Sequence, residues 1–115
     1  MVIEQGDIFW VESVPSYGSE PGFRRPYVVI QNDMFNSSPI NTVVACALTS
    51  NLKRAQAPGN VLLQPGEANL PQASVVNITQ IATIDKQRLV EKIGTLLDRR
   101  VDQIVAGVQL LIEPH

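Results

Sequence analysis

The sequence predicts a mainly β domain, formed by a small curled antiparallel sheet or barrel and completed by one C-terminal helix. Roughly five to seven short segments rich in β-branched and aromatic residues alternate with turn-prone segments, at intervals of about eight to twelve residues. The last third of the chain changes to the spacing of an amphipathic helix. With 115 residues the chain can bury one core of this kind, so we expect a single domain over residues 1–115.

The strands are predicted from apolar runs that turn residues interrupt. Residues 7–14 (DIFWVESV) are rich in aromatic and β-branched side chains. Residues 26–31 (PYVVIQ) begin with a proline, which the first position of a strand tolerates. Residues 42–48 (TVVACAL) lack alternating polar positions, so we expect both faces of that strand to be covered. Two further strands are predicted at 60–63 and 74–84.

The segments between the strands contain turn-forming residues such as Gly, Pro, Asn and Ser. Residues 15–22, 32–41 and 52–59 are therefore expected to be loops. Residues 85–88 have the composition of a helical turn, and residues 90–97 fit either a strand or a helix. Of these two, we favour a turn followed by a strand.

The C-terminal helix is predicted from apolar residues that recur on one helical face. These residues are Val101, Ile104, Val105, Val108, Leu111 and Ile112. Asp98 is the predicted N-cap, and Pro114 follows the predicted end. We expect the helical stripe to pack against the core or an interface. Trp10, Tyr27 and Cys46 are also expected to be packing residues.

The composition excludes several classes of protein. The longest apolar runs are far shorter than the ~20 residues that a membrane span needs. Residues 1–7 contain acids where a secretion signal has bases, so we expect a cytoplasmic protein without membrane contact. Cys46 alone cannot form an intramolecular disulfide, and the only histidine is the terminal His115. We therefore expect no metal centre and no histidine-dependent nucleophile. The sequence also lacks the glycine-rich phosphate-loop motifs GxxxxGK(S/T) and GxGxxG, and we expect no cofactor.

Charge is distributed unevenly along the chain. The formal net charge of −2 argues against a generally basic nucleic-acid-binding protein. Residues 15–60, however, hold four basic residues against two acidic ones, so this segment carries +2. The basic residues are Arg24, Arg25, Lys53 and Arg54. They form either a phosphate-sized positive patch or a set of solvated loop charges.

One reaction proceeds without any of the excluded groups. RNA can be cleaved by its own 2'-OH, which attacks the neighbouring phosphorus, so the protein supplies no nucleophile, metal or cofactor. It must align the reacting atoms, stabilise charge on the phosphorane and assist the proton transfers. An arginine guanidinium matches phosphate oxygens in geometry, and a threonine hydroxyl can add a hydrogen bond to the same oxygens.

Several short motifs occur in order along almost the entire chain. They are GDIFWV at 6–11, GSE at 18–20, RPYVVIQND at 25–33, LTSN at 48–51, PGNV at 58–61, LP at 70–71, SVV at 74–76 and TIDK at 83–86. With these motifs the chain resembles the MazF/PemK family of toxin endoribonucleases, the toxins of type II toxin–antitoxin pairs. The resemblance implies a CcdB/MazF-like fold, an SH3-like small β-barrel extended by a sheet, with a packed C-terminal helix.

The resemblance also implies a function. A toxin of this family is expected to be a homodimer that cleaves single-stranded RNA, foremost mRNA, sequence-specifically and without a metal. The expected products carry a 2',3'-cyclic phosphate and a 5'-OH. A cognate antitoxin is the expected second partner, and it would lay an extended, acidic and otherwise disordered segment over the basic groove.

Site residues follow from the family's motifs. The arginine of the family's R-P-V motif corresponds to Arg25, a phosphate stabiliser and proton donor. The threonine that ends the third strand corresponds to Thr49, an oxyanion hydrogen-bond partner. Glu20 corresponds to an acid in the first loop, which acts as a base or orders Arg25. The residues expected to contact RNA are Ser19, Arg24, Ser50, Asn51, Lys53, Arg54, Asn77, Thr79 and Gln80.

One departure from the family concerns a stretch that reads Q-I-R-T in many members. Here it is QIAT at 80–83, so Ala82 removes a phosphate or base contact, and we expect a less basic groove. Asn77, Thr79 and Gln80 are instead candidates to contact base edges through neutral hydrogen bonds.

Two alternative functions stay open at the level of the sequence. A gyrase-binding toxin of the CcdB type resembles the same fold without nuclease activity. Those proteins share a Trp-Gly-Ile ending, whereas this sequence ends with IEPH at 112–115, which disfavours that role. A catalytically degenerate family member, which keeps the scaffold as a binding module, is the other alternative.

Overall fold

The computed structural model describes residues 1–12 and 24–115, and these residues contain six strands in one sheet. The strands are β1 (Asp7–Glu12), β2 (Arg24–Val29), β3 (Thr42–Thr49), β4 (Val61–Leu63), β5 (Ser74–Asp85) and β6 (Leu89–Thr95). Their order is β4-β5-β3-β2-β1-β6, and each neighbouring pair is antiparallel. The helices are α1 (Asp33–Asn36) and the C-terminal α2 (Asp98–Ile112). The predicted mainly β fold with a C-terminal helix is confirmed.

Two segments predicted as loops, 32–41 and 52–59, contain helical turns. They are α1 and a 3-10 helix at Leu52–Gln56. Asn32 starts the first turn, because its Oδ1 accepts a hydrogen bond of 2.8 Å from the N–H two residues later. Asn51 starts the second turn in the same way, with a hydrogen bond of 3.2 Å. The loop prediction was wrong here because a turn capped by a side chain needs no apolar periodicity.

The elements of the last third of the chain follow the prediction except at the start of the helix, and at its end Leu111 and Ile112 of the predicted apolar stripe are exposed. The predicted turn at 85–88 and strand at 90–97 are confirmed by a 3-10 helix, Lys86–Arg88, that leads into β6. The predicted cap of α2 was wrong. Leu97 is the N-cap, and Asp98 is the first helical residue, where its carboxylate lies near the positive end of the helix dipole. No helix in the described part of the chain is long and apolar enough to cross a bilayer.

The sheet buries apolar side chains on both of its faces. Consecutive residues of β3 belong to different core clusters, Ala45 to one and Cys46 to the other. α2 contributes Ile104 to the cluster that contains Cys46, and Tyr27 packs against the other cluster. Burial raises the pKa of the Cys46 thiol to about 11, as befits an inert packing residue. The prediction that both faces of β3 are covered is confirmed.

β5 is bent where it passes β3. Cys46 pairs with Ile81, but Leu48, which lies two positions further along β3, pairs with Val76. Residues 77–80 therefore lie opposite a single residue of β3, which interrupts the ladder and turns the strand. This bulge brings a polar segment of β5 to the end of β3.

The acid of the first sequence motif has a structural role. Asp7 is fully buried, and its Oδ1 accepts a hydrogen bond of 2.7 Å from Thr95 Oγ1. The same oxygen lies 3.2 Å from Lys92 Nζ, and Oδ2 accepts a hydrogen bond of 2.9 Å from the Glu4 N–H. Because a buried carboxylate is tolerated only when it is paired and hydrogen-bonded, these contacts hold β1 against β6.

A close glycine contact and an ion pair hold α2 in place. Gly107 faces Gly59, and a Cβ atom on Gly107 would collide with the Gly59 carbonyl oxygen. Arg100 donates two parallel hydrogen bonds, each 2.8 Å long, to the Glu67 carboxylate. These bonds lower the pKa of the Glu67 carboxyl below its ordinary value. The ion pair joins the first part of α2 to the turn that follows β4.

The substitution Gly107→Ala should destabilise the protein, although alanine is the better helix former by about 1 kcal/mol. The added methyl group meets the Gly59 carbonyl, and such overpacking costs about 1–3 kcal/mol. Unfolding in urea measures the change. Gln109→Ala, at an exposed position of the same helix, is the control and should change the free energy of unfolding by less than about 0.5 kcal/mol. A Gly107→Ala variant as stable as the wild type would contradict this close packing.

The substitution Glu67→Gln should lower the free energy of unfolding at pH 7 by on the order of 1 kcal/mol, because it removes the charged partner of Arg100. Since the pKa of Glu67 is lowered in the folded state, its contribution is complete at neutral pH. The contribution is lost as the pH falls below about 4, so the difference between variant and wild type should close there.

Glu91→Gln is the matched control for that series. Its partner Arg24 is exposed and lies 3.8 Å away, so the substitution should leave the stability unchanged at every pH. A Glu67→Gln deficit that persisted unchanged in acid would show that the ion pair is not its cause.

Candidate active site

A cleft of about 420 Å³ lies where the end of β3 meets the start of β2 and the bulge of β5. The described residues that line it are Trp10, Arg25, Pro26, Leu48, Thr49, Ser50, Asn51, Arg54, Gln72, Ser74, Asn77 and Gln80. Strands supply most of these residues, so the lining is built mainly on the sheet. Sites on such elements hold their side chains in fixed relative positions.

The register of two strands brings Arg25 and Thr49 together. Tyr27 of β2 pairs with Ala47 of β3 as the last pair of that antiparallel ladder, and Arg25 and Thr49 each lie two residues beyond it on their strands. Both residues line the cleft. The guanidinium and the hydroxyl that the sequence assigns to one phosphate therefore share one site.

The Thr49 hydroxyl can donate a hydrogen bond to a bound molecule. Its Oγ1 accepts a hydrogen bond of 3.2 Å from the Asn51 N–H, so its own proton remains available for a bound molecule. Asn51 also starts the 3-10 helix Leu52–Gln56, which fixes the backbone that follows Thr49. The same helix carries Arg54 to the cleft.

The cleft is cationic although the chain as a whole is acidic. Arg25 and Arg54 line it, and none of the described lining residues is an acid. Two guanidinium groups surrounded by hydroxyls and carboxamides suit an anion such as a phosphodiester that carries polar groups on either side. Within residues 1–12 and 24–115, no group of three or more His, Cys, Asp or Glu side chains is placed to hold a metal ion.

The described residues that are predicted to contact RNA divide into two sets. Those that line the cleft are Ser50, Asn51, Arg54, Asn77 and Gln80. Lys53 and Thr79 are exposed but lie outside its described lining. The side chain of Arg24 reaches across β1 towards β6, where its Nη1 is 3.8 Å from Glu91 Oε2. Since side chains alternate along a strand, Arg24 and Arg25 project to opposite faces of β2.

Three further positions that the sequence singles out are not among the described residues that line the cleft. Ser19 and Glu20 belong to the segment 13–23 and lie outside the described residues. Ala82, where many family members have arginine, is half-buried against a core cluster and does not line the cleft. Ala82, the position at which this chain departs from the family, therefore lies outside the described lining of the cleft that Arg25 and Thr49 share.

Some lining residues are not evident from the sequence. Ser74 begins β5, and the next residue, Val75, pairs with Thr49, so this end of β5 adjoins the end of β3. The Ser74 hydroxyl donates a hydrogen bond of 3.1 Å to the Gln72 carbonyl. Trp10, expected to be a packing residue, is half-buried and also lines the cleft. Both residues lie in the quoted motifs, at 6–11 and 74–76, but only the pairing of distant strands shows that they face the cleft.

Comparison with known proteins adds independent findings. A family model described as PemK-like, MazF-like toxin of type II toxin–antitoxin system matches residues 4–112. The chain is 38% identical over 113 residues to endoribonuclease MazF6 of Mycobacterium tuberculosis, which covers 98% of this chain and 99% of that protein. It is 37% identical over 111 residues to endoribonuclease EndoA of Bacillus subtilis, with 96% and 94% covered.

A solved structure shares the fold. A chain of the crystal structure of MazE-MazF (Form-II) from Deinococcus radiodurans superimposes with a TM-score of 0.82. The superposition covers 100% of this chain and 99% of that chain, at 22% sequence identity. The curled sheet and its C-terminal helix are thus a known arrangement, the CcdB/MazF-like fold.

Proposed function

This chain belongs to the family of PemK-like, MazF-like toxins of type II toxin–antitoxin systems, and we propose that it is an endoribonuclease. Its substrate is single-stranded RNA, foremost mRNA, which it cleaves at a preferred short sequence. The observation that supports this proposal most strongly is the cleft shared by Arg25 and Thr49. The cleft offers a fixed positive charge and a hydroxyl donor to one phosphodiester, as RNA cleavage by the 2'-OH requires.

The proposed reaction needs no metal and no cofactor. The 2'-oxygen of the substrate forms a bond to phosphorus while the bond from phosphorus to the 5'-oxygen breaks. The 2'-OH loses its proton and the leaving 5'-oxygen gains one, so the products carry a 2',3'-cyclic phosphate and a 5'-OH. Negative charge grows on the two non-bridging oxygens of the phosphate, which is where donors lower the barrier.

Arg25 and Thr49 are the proposed donors to those oxygens. The guanidinium stabilises the charge, and Arg25 also supplies the proton to the leaving oxygen. The Thr49 hydroxyl can donate because the bond that its oxygen accepts from the Asn51 N–H does not use its proton. Glu20, which lies outside the described residues, is the proposed base for the 2'-OH or the group that orders Arg25. The polar side chains elsewhere in the cleft contact the nucleotides on either side of the cleaved bond.

A cognate antitoxin is the proposed inhibitor. Solved structures with this fold include MazE-MazF from Deinococcus radiodurans and an endoribonuclease with its cognate antitoxin from mycobacterial species. For this chain, the proposed contact is an extended acidic segment that becomes ordered over the cleft and complements Arg25 and Arg54. The toxin itself is proposed to act in the cytoplasm as a homodimer.

Cleavage of a long single-stranded RNA in the presence of EDTA tests the proposed function. The wild type should cut at specific positions and leave 5'-OH ends. Thr49→Val and Arg25→Gln should each lower kcat/KM by about 10²–10³-fold, the usual loss when one transition-state donor is removed. Thermal unfolding should show that both variants remain folded.

Arg99→Gln is the control that is matched in charge. It removes an exposed arginine of α2, outside the described lining of the cleft, and should keep full activity. Intact RNA together with arrested supercoiling by gyrase would favour a CcdB-type function. Intact RNA with normal supercoiling would favour a binding module, and either result would contradict the proposed enzyme.

A further inference from the structure

The side chain of Asn60, just before β4, connects two parts of the cleft from behind. Its Nδ2 donates hydrogen bonds of 2.9 Å to the Arg54 carbonyl and 3.3 Å to Asn77 Oδ1. Its Oδ1 accepts a hydrogen bond of 2.9 Å from the Ile78 N–H. A backbone carbonyl can only accept and a backbone N–H can only donate, so these two backbone groups determine which end of the Asn60 carboxamide faces each of them.

The fixed Asn60 carboxamide in turn fixes that of Asn77. Because Asn60 presents N–H groups, the Asn77 atom that faces it must be the oxygen. Thr79 Oγ1 donates to the same oxygen over 3.4 Å. Asn77 lines the cleft, and no acceptor among the described residues receives a hydrogen bond from its Nδ2. The amide NH₂ of Asn77, which carries two donors, is therefore left to a bound molecule.

We propose that Asn77 selects uracil or guanine at one position of the RNA by their O4 or O6 keto oxygen, and that Asn60 is the positioning residue that enforces this choice. The inference rests on the proposed ribonuclease function. The O4 of uracil or the O6 of guanine accepts a hydrogen bond from the Asn77 NH₂, whereas the amino group that cytosine and adenine carry at that carbon would set one donor against another. An unpaired donor in a partly desolvated site costs more than a missing contact, so the wrong base is rejected.

The same hydrogen bonds link the residue proposed to select a base to an arginine that is proposed to bind the RNA backbone. Asn60 bonds the backbone of Arg54, which lines the cleft as a cation, and the bulge of β5 that carries Asn77. The group that would bind the RNA backbone and the group that reads a base are thus held in one fixed relation. A carboxamide that only faced solvent would not form hydrogen bonds with both segments.

Competition between matched oligonucleotides tests the inference. Within the sequence that the wild type cleaves, each uracil is replaced by cytosine and each guanine by adenine, one at a time. At one position the replacement should lower kcat/KM by about tenfold, the usual effect of one hydrogen bond. Asn77→Asp replaces the two donors with a carboxylate oxygen. The preference at that position should therefore change from uracil to cytosine, or from guanine to adenine.

Two further variants separate base selection from a general loss of structure. Asn60→Asp removes the donors that hold Asn77, so the ratio of kcat/KM between the two bases should fall towards one at that position. A merely structural defect would lower both values equally and keep the ratio. Gln72→Glu adds the same negative charge to the same cleft as Asn77→Asp, and it should lower cleavage without exchanging the preference.

The outcomes distinguish the inference from the function on which it rests. Specific cleavage by the wild type with no preference for a keto base at any position, or an Asn77→Asp variant with unchanged preferences, would overturn the inference and leave the endoribonuclease proposal intact. RNA that the wild type leaves whole would overturn both.

Discussion

The register of β3 against its two neighbours is the constraint on which the rest of the structure depends. On one side the ladder to β2 ends two residues before Arg25 and Thr49, which share the cleft, and on the other side residues 77–80 of β5 lie opposite a single residue. A slip of one residue would turn every side chain of β3 to the other face and separate the guanidinium from the hydroxyl. The two cores oppose such a slip, because Ala45 and Cys46 are buried in different clusters.

Polar side chains stabilise this arrangement as connectors between elements. Asp7 joins β1 to β6, Glu67 joins a turn to α2, and Asn60 joins the 3-10 helix beside the cleft to the β5 bulge. Throughout the described residues, every buried side-chain nitrogen or oxygen has a hydrogen-bond partner. Fully bonded networks of this kind are rigid, so the cleft is organised before any ligand arrives.

Local patterns predict most of the fold, because strand and helix periods are visible within a few residues. They fail at the start of α2, where Leu97 and not Asp98 is the cap and no described side chain makes a capping hydrogen bond. The sequence motifs identify Arg25 and Thr49, but not Gln72 or the connecting role of Asn60. Those roles depend on which distant strands pair and on where the β5 register breaks, and no local pattern records either.

A double-mutant cycle on kcat/KM tests most directly whether Arg25 and Thr49 act on the same phosphodiester. Wild type, the two single variants and the double variant are compared on one RNA under single-turnover conditions. Groups that stabilise the same transition state are coupled, so the double variant should lose much less than the product of the two single losses. Losses that multiply would show that the two side chains act independently and would contradict the account.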